Sequence, residues 1–225
     1  LMHIAHEKGW PLRRADFFYD NSSEALGIND QIFIGKELLI SPVLVAATEE
    51  MNVRLPAGEW YEWESFNFIK STMNSIKVVY KTPLDYIPVH IRAGSILIMQ
   101  ESKLTTFETR RTNLKILIAL DSDGGAAGDF YWDDGVSLNV GQDFINLIVE
   151  VQVVDNKSLQ IKFKGTIGCE CPPFVSKFIV LTAGKKYKVK GDSSFDVTAK
   201  NFGFEVFFKN GLKVNKLQNY NVEFE

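Results

Sequence analysis

The sequence has little that would direct it to a membrane or to a nucleic acid. None of its apolar runs approaches the roughly 18 residues that a membrane-spanning helix needs. Its 25 basic and 28 acidic residues give a formal net charge of −3, and no basic cluster offers a surface to phosphates. The lysines of the second half interleave with apolar residues, as solvated strand faces do. We therefore expect no membrane span and no nucleic-acid partner.

Cysteine and histidine are too scarce for an evident disulfide framework or metal centre. The two cysteines, Cys169 and Cys171, are one residue apart, which suits an unstrained disulfide poorly. The three histidines are His3, His6 and His90; the first two would share a helix face, but no third ligand follows at a suitable spacing. We predict no metal and no cofactor, and we interpret the cysteines as thiols on a turn, free or paired outside the chain.

Short strands dominate the pattern that is present. Hydrophobic residues make up 45 % and charged residues 24 %, as in ordinary globular proteins. From residue 31 onward, apolar or alternating segments are separated by glycine, proline, asparagine and aspartate. Residues 160–164 alternate as a strand with one solvated face requires. One sandwich of about 100 residues cannot hold all these strands, so we predict a mainly β protein with two consecutive antiparallel β-sandwich domains, divided near residues 107–112.

The first eleven residues carry the signals of a helix end. Leu1, Ile4 and Ala5 recur at helical spacing, Gly9 suits the C-cap, and Pro11 suits the stop that follows. Two turns are too short to be stable alone, and the pattern of a signal peptide is absent. We expect the sequence to begin inside a longer helix and the chain to be a fragment, or one chain of a cleaved protein.

Two acidic segments, at residues 121–125 and 132–135, are the strongest local candidates for chemistry. Neighbouring Asp133 and Asp134 would point to opposite faces of a strand, so they cannot converge on one glycosidic oxygen as a paired acid and base must. Asp121 begins a segment like a calcium loop, but tryptophan occupies the twelfth position where a bidentate glutamate belongs. We interpret both segments as turns held by side-chain-to-backbone hydrogen bonds, and we predict no catalytic residue in the chain.

Histidine and aromatic residues form two further candidates. His90 and Arg92 would face the same side of a strand, where they could bind an anion or a sugar hydroxyl; we favour a hydrogen-bonded corner inside the sandwich. Trp60, Tyr61 and Trp63 cluster, and exposed rings of this kind stack on sugars, but we expect most of them to be buried in packing. We therefore assign no substrate-binding residue.

Two sequons predict N-glycosylation, at Asn21 and Asn156. Each is followed by the required hydroxyl residue two positions later and falls in a segment typical of a surface turn. They indicate a secretory route for the protein.

Five motifs follow one another in a characteristic order. They are His3-x-Ala5-His6-x-x-Gly9-x-Pro11, Gln31-x-x-x-Gly35-x-x-Leu38-Leu39-x-Ser41-Pro42-Val43-Leu44, Pro56-x-Gly58-x-Trp60-Tyr61, Pro83-Leu84-Asp85-x-Ile87-x-Val89-His90-x-Arg92-Ala93-Gly94 and Gly128-x-x-x-Trp132-Asp133-Asp134-Gly135-x-Ser137. Together they resemble the C-terminal part of glycoside hydrolase family 31, the retaining α-glucosidases, and the fourth most resembles the lysosomal and intestinal maltase branch. The resemblance covers roughly residues 1–140, and residues 141–225 resemble the distal sandwich by pattern and position only.

The chain departs from the family pattern at three positions. The family often has proline where this chain has Ala15, favours aspartate where Asn29 stands, and favours phenylalanine at Ile32. These changes leave the expected fold intact and point to a divergent member.

The resemblance implies a division of labour along a longer protein. Residues 1–18 would close a catalytic (β/α)8 barrel, residues 19–108 would form a proximal β-sandwich and residues 109–225 a distal one. Because the family's catalytic aspartates and its glucose-binding residues lie upstream, the resemblance implies a chain that is inactive alone and braces the barrel through a buried apolar interface. The implied reaction releases α-glucose from the ends of α-1,4-linked oligosaccharides through a glycosyl-enzyme intermediate. The implied location is secretory, lysosomal or extracellular.

Two alternatives remain open from the sequence. One is a freestanding carbohydrate-binding sandwich that uses the aromatic cluster. The other is a non-catalytic, structural β-sandwich protein derived from the same family. Only the upstream aspartates distinguish this last alternative from the enzyme.

Overall fold

The computed structural model describes residues 12–14, 27–139, 141–155, 158–169, 174–187, 195–212 and 220–223. The chain divides into two compact units, Leu1–Ala93 and Gly94–Glu225. The predicted helix end at residues 1–11, both sequon asparagines (Asn21 and Asn156) and Cys171 lie outside the described residues. Within the described ranges, no helix is long and apolar enough to cross a membrane.

The first unit contains a six-stranded antiparallel sheet. Its strands are β1 (Leu12–Arg14), β2 (Ile32–Ile34), β3 (Leu38–Ile40), β4 (Glu50–Glu62), β5 (Phe68–Lys81) and β6 (Val89–Arg92). They lie in the order β1-β2-β3-β6-β4-β5. Alternate residues of β4 are buried, because successive side chains of a strand point to opposite faces. Phe33, Leu39, Val53 and Trp60 form the centre of the core that results.

A bulge takes the place of a turn in the middle of β4. The sequence predicts a turn at the proline and glycine of this segment, but the strand continues through them. Its pairing with β5 shifts between Pro56, opposite Ser75, and Gly58, opposite Ser71. Proline has no N–H to donate to the hydrogen bonds between strands, and Gly58 adopts a φ of 134°. The shift in strand pairing therefore lies at residues that suit an interruption of regular pairing. Trp60 Nε1 donates to the Pro56 carbonyl at 3.0 Å and holds the bulge.

In its described residues, the second unit contains a nine-stranded sheet and one short helix. The strands are β7 (Ser95–Met99), β8 (Leu114–Ala119), β9 (Gly125–Trp132), β10 (Ile145–Val154), β11 (Ser158–Ile167), β12 (Val175–Leu181), β13 (Phe195–Lys200), β14 (Gly203–Leu212) and β15 (Tyr220–Glu223), with α1 (Thr106–Thr109) between β7 and β8. The sheet order is β13-β14-β12-β8-β7-β9-β10-β11-β15. Residues from both ends of this order, such as Val206 and Leu159, belong to one buried cluster. The sheet therefore curls over a single core, as the two layers of a β-sandwich do.

The mainly β, two-unit prediction is confirmed, with one correction to strand direction. All pairs of the first sheet are antiparallel, but in the second sheet β8 pairs in parallel with β12, and β7 in parallel with β9. Parallel neighbours need a crossover connection, and the chain that forms β9 to β11 supplies one between β8 and β12. A local pattern does not show this, because the periodicity of a strand is the same in both directions.

The division between the units also differs from the predicted one. The sequence places it after residue 108, beside α1, whereas the units divide between Ala93 and Gly94. The cause is β7, whose five residues pair with β8 in the second sheet and not with the first. At the other end, β1 pairs with β2, so residues 12–14, predicted to close a barrel, extend the first unit's sheet.

Candidate functional site

The first acidic segment is a tight turn between β8 and β9. Asp121 Oδ1 accepts backbone hydrogen bonds from Asp123 at 3.0 Å and from Gly125 at 2.8 Å. Gly124 has a φ of 80°, a left-handed conformation that glycine adopts without steric cost. The predicted turn is confirmed, and one carboxylate oxygen is used to hold it.

The second acidic segment forms a turn after β9. Asp133 Oδ1 accepts from the Gly135 amide at 2.8 Å. Asp134 Oδ1 accepts from the amides of Val136 at 3.0 Å and Ser137 at 2.9 Å, and its second oxygen accepts from the Ser137 hydroxyl. Hydrogen bonds from the Ser137 side chain and from these two amides lower the pKa of Asp134 to about 2. Both carboxylates are therefore used to hold the turn, as the sequence predicts.

Arg110, at the end of α1, joins that helix to the second acidic turn. Its guanidinium lies 4.3 Å from the centre of the Trp132 ring, donates to the Asp133 carbonyl oxygen and lies 3.7 Å from the Asp133 carboxylate. A glycine is suited to position 135, because its φ of 73° is left-handed, a conformation that other residues rarely adopt. The Trp-Asp-Asp-Gly motif is thus explained by packing and turn geometry.

We predict that Asp133→Asn and Asp134→Asn leave catalysis nearly intact in a complete enzyme that contains this chain. An amide keeps an acceptor oxygen for the turn, and neither carboxylate is left free to transfer protons. We expect kcat for a nitrophenyl α-glucoside to change less than threefold, whereas loss of a general acid or base costs roughly 10²-fold or more. A loss of that size without a change in thermal stability would contradict the structural role.

A polar cleft lies along β9, β10 and β11. It has a volume of about 400 Å³, and the small residues Gly125 and Ala127 are among those that line it. Glu150 lies opposite Lys162, and Gln152 opposite Gln160, in the pairing of β10 with β11. The cleft can hydrogen-bond a polar ligand. Within the described ranges, no three histidine, cysteine, aspartate or glutamate side chains are placed to hold a metal ion.

His90 is the buried member of a polar cluster in the first unit, and the other members of the cluster are half-buried. The residue is fully buried, and its Nε2 lies 2.8 Å from the Tyr80 hydroxyl. Glu62 pairs with His90 across β4 and β6, and its carboxylate accepts from the Tyr86 hydroxyl at 3.0 Å. Burial lowers the pKa of His90 to about 4, so the ring is neutral at neutral pH. A buried neutral ring does not attract anions, and the hydrogen-bonded interpretation is confirmed.

Burial raises the pKa values of the two tyrosines of this cluster, whereas it lowers that of His90. Burial first, and then the charge of Glu62, raises the pKa of Tyr80 to about 12. The pKa of Tyr86 is also raised, by burial and by its hydrogen bond to Glu62. Both hydroxyls therefore remain protonated donors, and the cluster is a structural one. Sequence reasoning missed Glu62, Tyr80 and Tyr86, because nothing local indicates that they meet His90.

The aromatic cluster is a packing feature. Trp60 and Tyr61 are each 1 % exposed, and Trp63 is half-buried. The Trp60 ring lies 6.0 Å from that of Phe33, and the Tyr61 ring 5.2 Å from that of Phe68. The prediction that most of these rings are buried is confirmed, and Trp60 and Tyr61 cannot act as a stacking platform for a sugar.

A buried polar pair explains a further motif. Gln31 and Ser41 are 2 % and 0 % exposed, and Gln31 Nε2 donates to Ser41 Oγ at 2.9 Å and to the Arg54 carbonyl at 3.1 Å. The amide thus joins the start of β2 to the end of β3 and to β4. Ser41 lies between apolar neighbours, but Gln31 follows an aspartate, so the local sequence does not indicate that the two side chains pair.

The comparisons with known proteins agree on one family. Residues 9–97 match the model of the glycosyl hydrolase family 31 C-terminal domain. A probable α-glucosidase of Oryza sativa subsp. japonica is 36 % identical over 138 residues, which cover 61 % of this chain and 16 % of the relative. The lysosomal α-glucosidase of Bos taurus is 35 % identical over 164 residues, covering 66 % of this chain and 18 % of that protein.

A solved structure supports the fold independently. The family 31 dextranase of Flavobacterium johnsoniae, complexed with glucose, matches 98 % of this chain and 30 % of its own with a TM-score of 0.76 at 21 % identity. The two curated relatives are matched over less than a fifth of their length. The shared fold therefore corresponds to a small part of each relative.

Proposed function

We propose, on the premise that this chain carries the C-terminal domain of glycosyl hydrolase family 31, that it is the β-sandwich part of a retaining α-glucosidase. In this proposal a catalytic (β/α)8 barrel precedes the chain and holds both catalytic carboxylates. The whole protein hydrolyses terminal α-1,4-linked glucose from oligosaccharides. This chain supplies no reacting group and braces the barrel.

The observation that carries the proposal is the role of the motif residues. Several of the residues that carry the resemblance and lie in the described ranges form a bulge, a buried amide pair, a histidine–tyrosine pair and an acidic turn. Each serves the packing of the chain itself, and none is left to carry out hydrolysis. A part that braces a larger enzyme needs a stable fold of its own, and it does not need to supply a reacting group.

We further propose that the protein follows the secretory route and is lysosomal or extracellular. The two sequons support this proposal, and one relative is named as lysosomal. Glycosylation of Asn21 and Asn156 stays a prediction, which mass spectrometry of the protein before and after removal of N-linked glycans tests.

Activity should belong to the complete enzyme and not to this chain. We expect the chain alone to release no glucose from maltose or from a nitrophenyl α-glucoside, because the acidic residues that the structure describes form no catalytic pair at a substrate site. The chain together with its preceding catalytic part should hydrolyse both, and the catalytic part alone should be unfolded or insoluble. Turnover by the purified chain alone, or a folded complete protein without α-glucosidase activity, would overturn the proposal.

A further inference from the structure

Two connections of the first unit lie side by side and are joined at both ends. Residues 41–49 connect β3 to β4, and residues 82–88 connect β5 to β6. At one end the Ser41 amide donates to the Pro88 carbonyl at 3.0 Å. At the other, Thr82 donates to the Glu49 carbonyl through its amide at 2.9 Å, and its hydroxyl donates to the Thr48 carbonyl at 3.0 Å. The two segments therefore form one paired surface.

This exposed surface is apolar, whereas connections between strands on a protein surface are usually polar. Its large aliphatic side chains, here called the apolar strip, are Leu44, Val45, Leu84 and Ile87, with exposed fractions of 68, 71, 106 and 53 %. Residues 41–48 hold no charged side chain. Contiguous exposed apolar residues on a folded surface mark a site of interaction.

Internal hydrogen bonds hold the strip in place. The Tyr86 amide donates to the Pro83 carbonyl at 3.0 Å, and the Tyr86 hydroxyl donates to the buried-cluster residue Glu62. In the other connection, the Thr48 hydroxyl donates to the Val45 carbonyl at 2.8 Å, while Val43 packs against the core. A surface already ordered before association loses less conformational entropy on binding.

We infer that the apolar strip is the surface on which the preceding catalytic part of the enzyme docks. The inference rests on the proposed function and names the surface that performs the bracing. More than four-fifths of each of the two relatives lies outside the region that this chain matches, and the matched domain is the C-terminal one. The strip therefore binds an apolar surface of a partner that is covalently attached to this chain. Because covalent attachment gives the partner a high effective concentration, a small contact area is enough for stable docking.

The strip is too small to be the whole of a dimer interface. A stable interface between two copies engages about 20 to 30 residues on each side. The strip has four large side chains, and only Asp85 and Glu49 carry charge in its two connections. A partner in the same polypeptide needs neither an interface of about 20 to 30 residues nor surface charges that guide association. The strip therefore suits such a partner better than it suits a second copy of the chain.

The test measures whether the strip is covered in the complete enzyme. Leu84→Cys is introduced, and the rate of its reaction with a thiol reagent is compared in the native and the denatured enzyme. The matched control is Lys186→Cys, an exposed position in a polar turn of the second unit. Wild-type enzyme gives the background from Cys169 and Cys171. We expect native Leu84→Cys to react about tenfold or more slower than the denatured protein, because a covered thiol reacts only through local opening.

The outcomes separate this inference from the proposed function. Lys186→Cys should react at nearly its denatured rate in the same native enzyme. Native Leu84→Cys that reacts as fast as when denatured overturns the docking surface, even if the enzyme hydrolyses maltose normally. Protection that disappears on dilution of a folded dimer to monomers also overturns it, since the occupant is then a second copy. Protection in an enzyme without glucosidase activity supports the surface and contradicts only the activity.

Discussion

Trp60→Ala should unfold the first unit of the chain and inactivate an enzyme that depends on it. Trp60 is 1 % exposed and packs against Phe33, so its removal leaves a cavity that costs about 3 to 5 kcal/mol in the free energy of unfolding. The Pro56 carbonyl at the β4 bulge also loses its hydrogen bond from the indole nitrogen. Because a domain's whole stability is about 5 to 15 kcal/mol, a loss of this size leaves little in reserve.

Two matched variants distinguish the core role of Trp60 from a general effect of losing an indole. Trp60→Phe keeps a ring in the core but lacks the donor, and it should cost much less than Trp60→Ala. Trp63→Ala removes a half-buried indole three residues further along the same segment, and it should also cost less. Urea unfolding measures all three. Equal losses for Trp60→Ala and Trp63→Ala would contradict the assignment of Trp60 to the core.

Acid should destabilise the first unit through His90. The ring is neutral in the folded protein down to a pKa of about 4, whereas a histidine in an unfolded chain has a pKa of about 6.5. Between these values the unfolded state binds more protons than the folded state, so stability is lost as the pH falls from 6.5 to 4. The difference corresponds to roughly 3 kcal/mol across that window, since each pKa unit is about 1.4 kcal/mol.

His90→Gln isolates this contribution, because glutamine can accept from the Tyr80 hydroxyl but does not titrate. The variant is expected to be less stable than wild type at pH 7, and the gap should narrow towards pH 4. The free energy of unfolding at pH 7, 5.5 and 4.5 measures it. Parallel pH profiles of the two proteins would show that His90 does not titrate as its burial requires. In the proposed lysosomal location, the protein would be exposed to the pH range between about 6.5 and 4. Contact with the catalytic part would then help to stabilise the first unit against acid.

The polar side chains of the motifs are hydrogen-bonded to other groups of the same chain. Asp133 and Asp134 hold a turn, His90 and Glu62 hold two tyrosines, and Gln31 holds a serine. Buried polar groups are mostly hydrogen-bonded, because an unpaired one costs about 1 to 3 kcal/mol. Among the described residues, Nδ1 of His90 is a buried side-chain atom without a partner. The motifs that resemble a hydrolase family therefore identify a scaffold, and the exposed apolar strip is the feature that links this scaffold to a partner.

The sequence alone determined most of the strands and both acidic turns. Alternation along β4 and β10 predicts which side chains are buried, because the period of two is a property of the extended backbone. The acidic turns were likewise predictable, since aspartate bonds to amides only two to four residues away. The family resemblance also came from local motifs, although some of their residues, such as Gln31 and His90, contact partners ten or more positions away.

Only the tertiary structure decided how distant segments meet. Whether β7 joins the first or the second sheet, and whether β12 lies parallel to β8, depends on pairings between strands far apart in the sequence. No strand was predicted at β13, although its six residues alternate between apolar and polar, and only its pairing with β14 reveals it. The contact of His90 with Tyr80 and the exposure of Leu84 were also not predictable from local patterns. Periodicity shows which face of a strand is apolar, but only the packed chain shows which residues cover a given side chain.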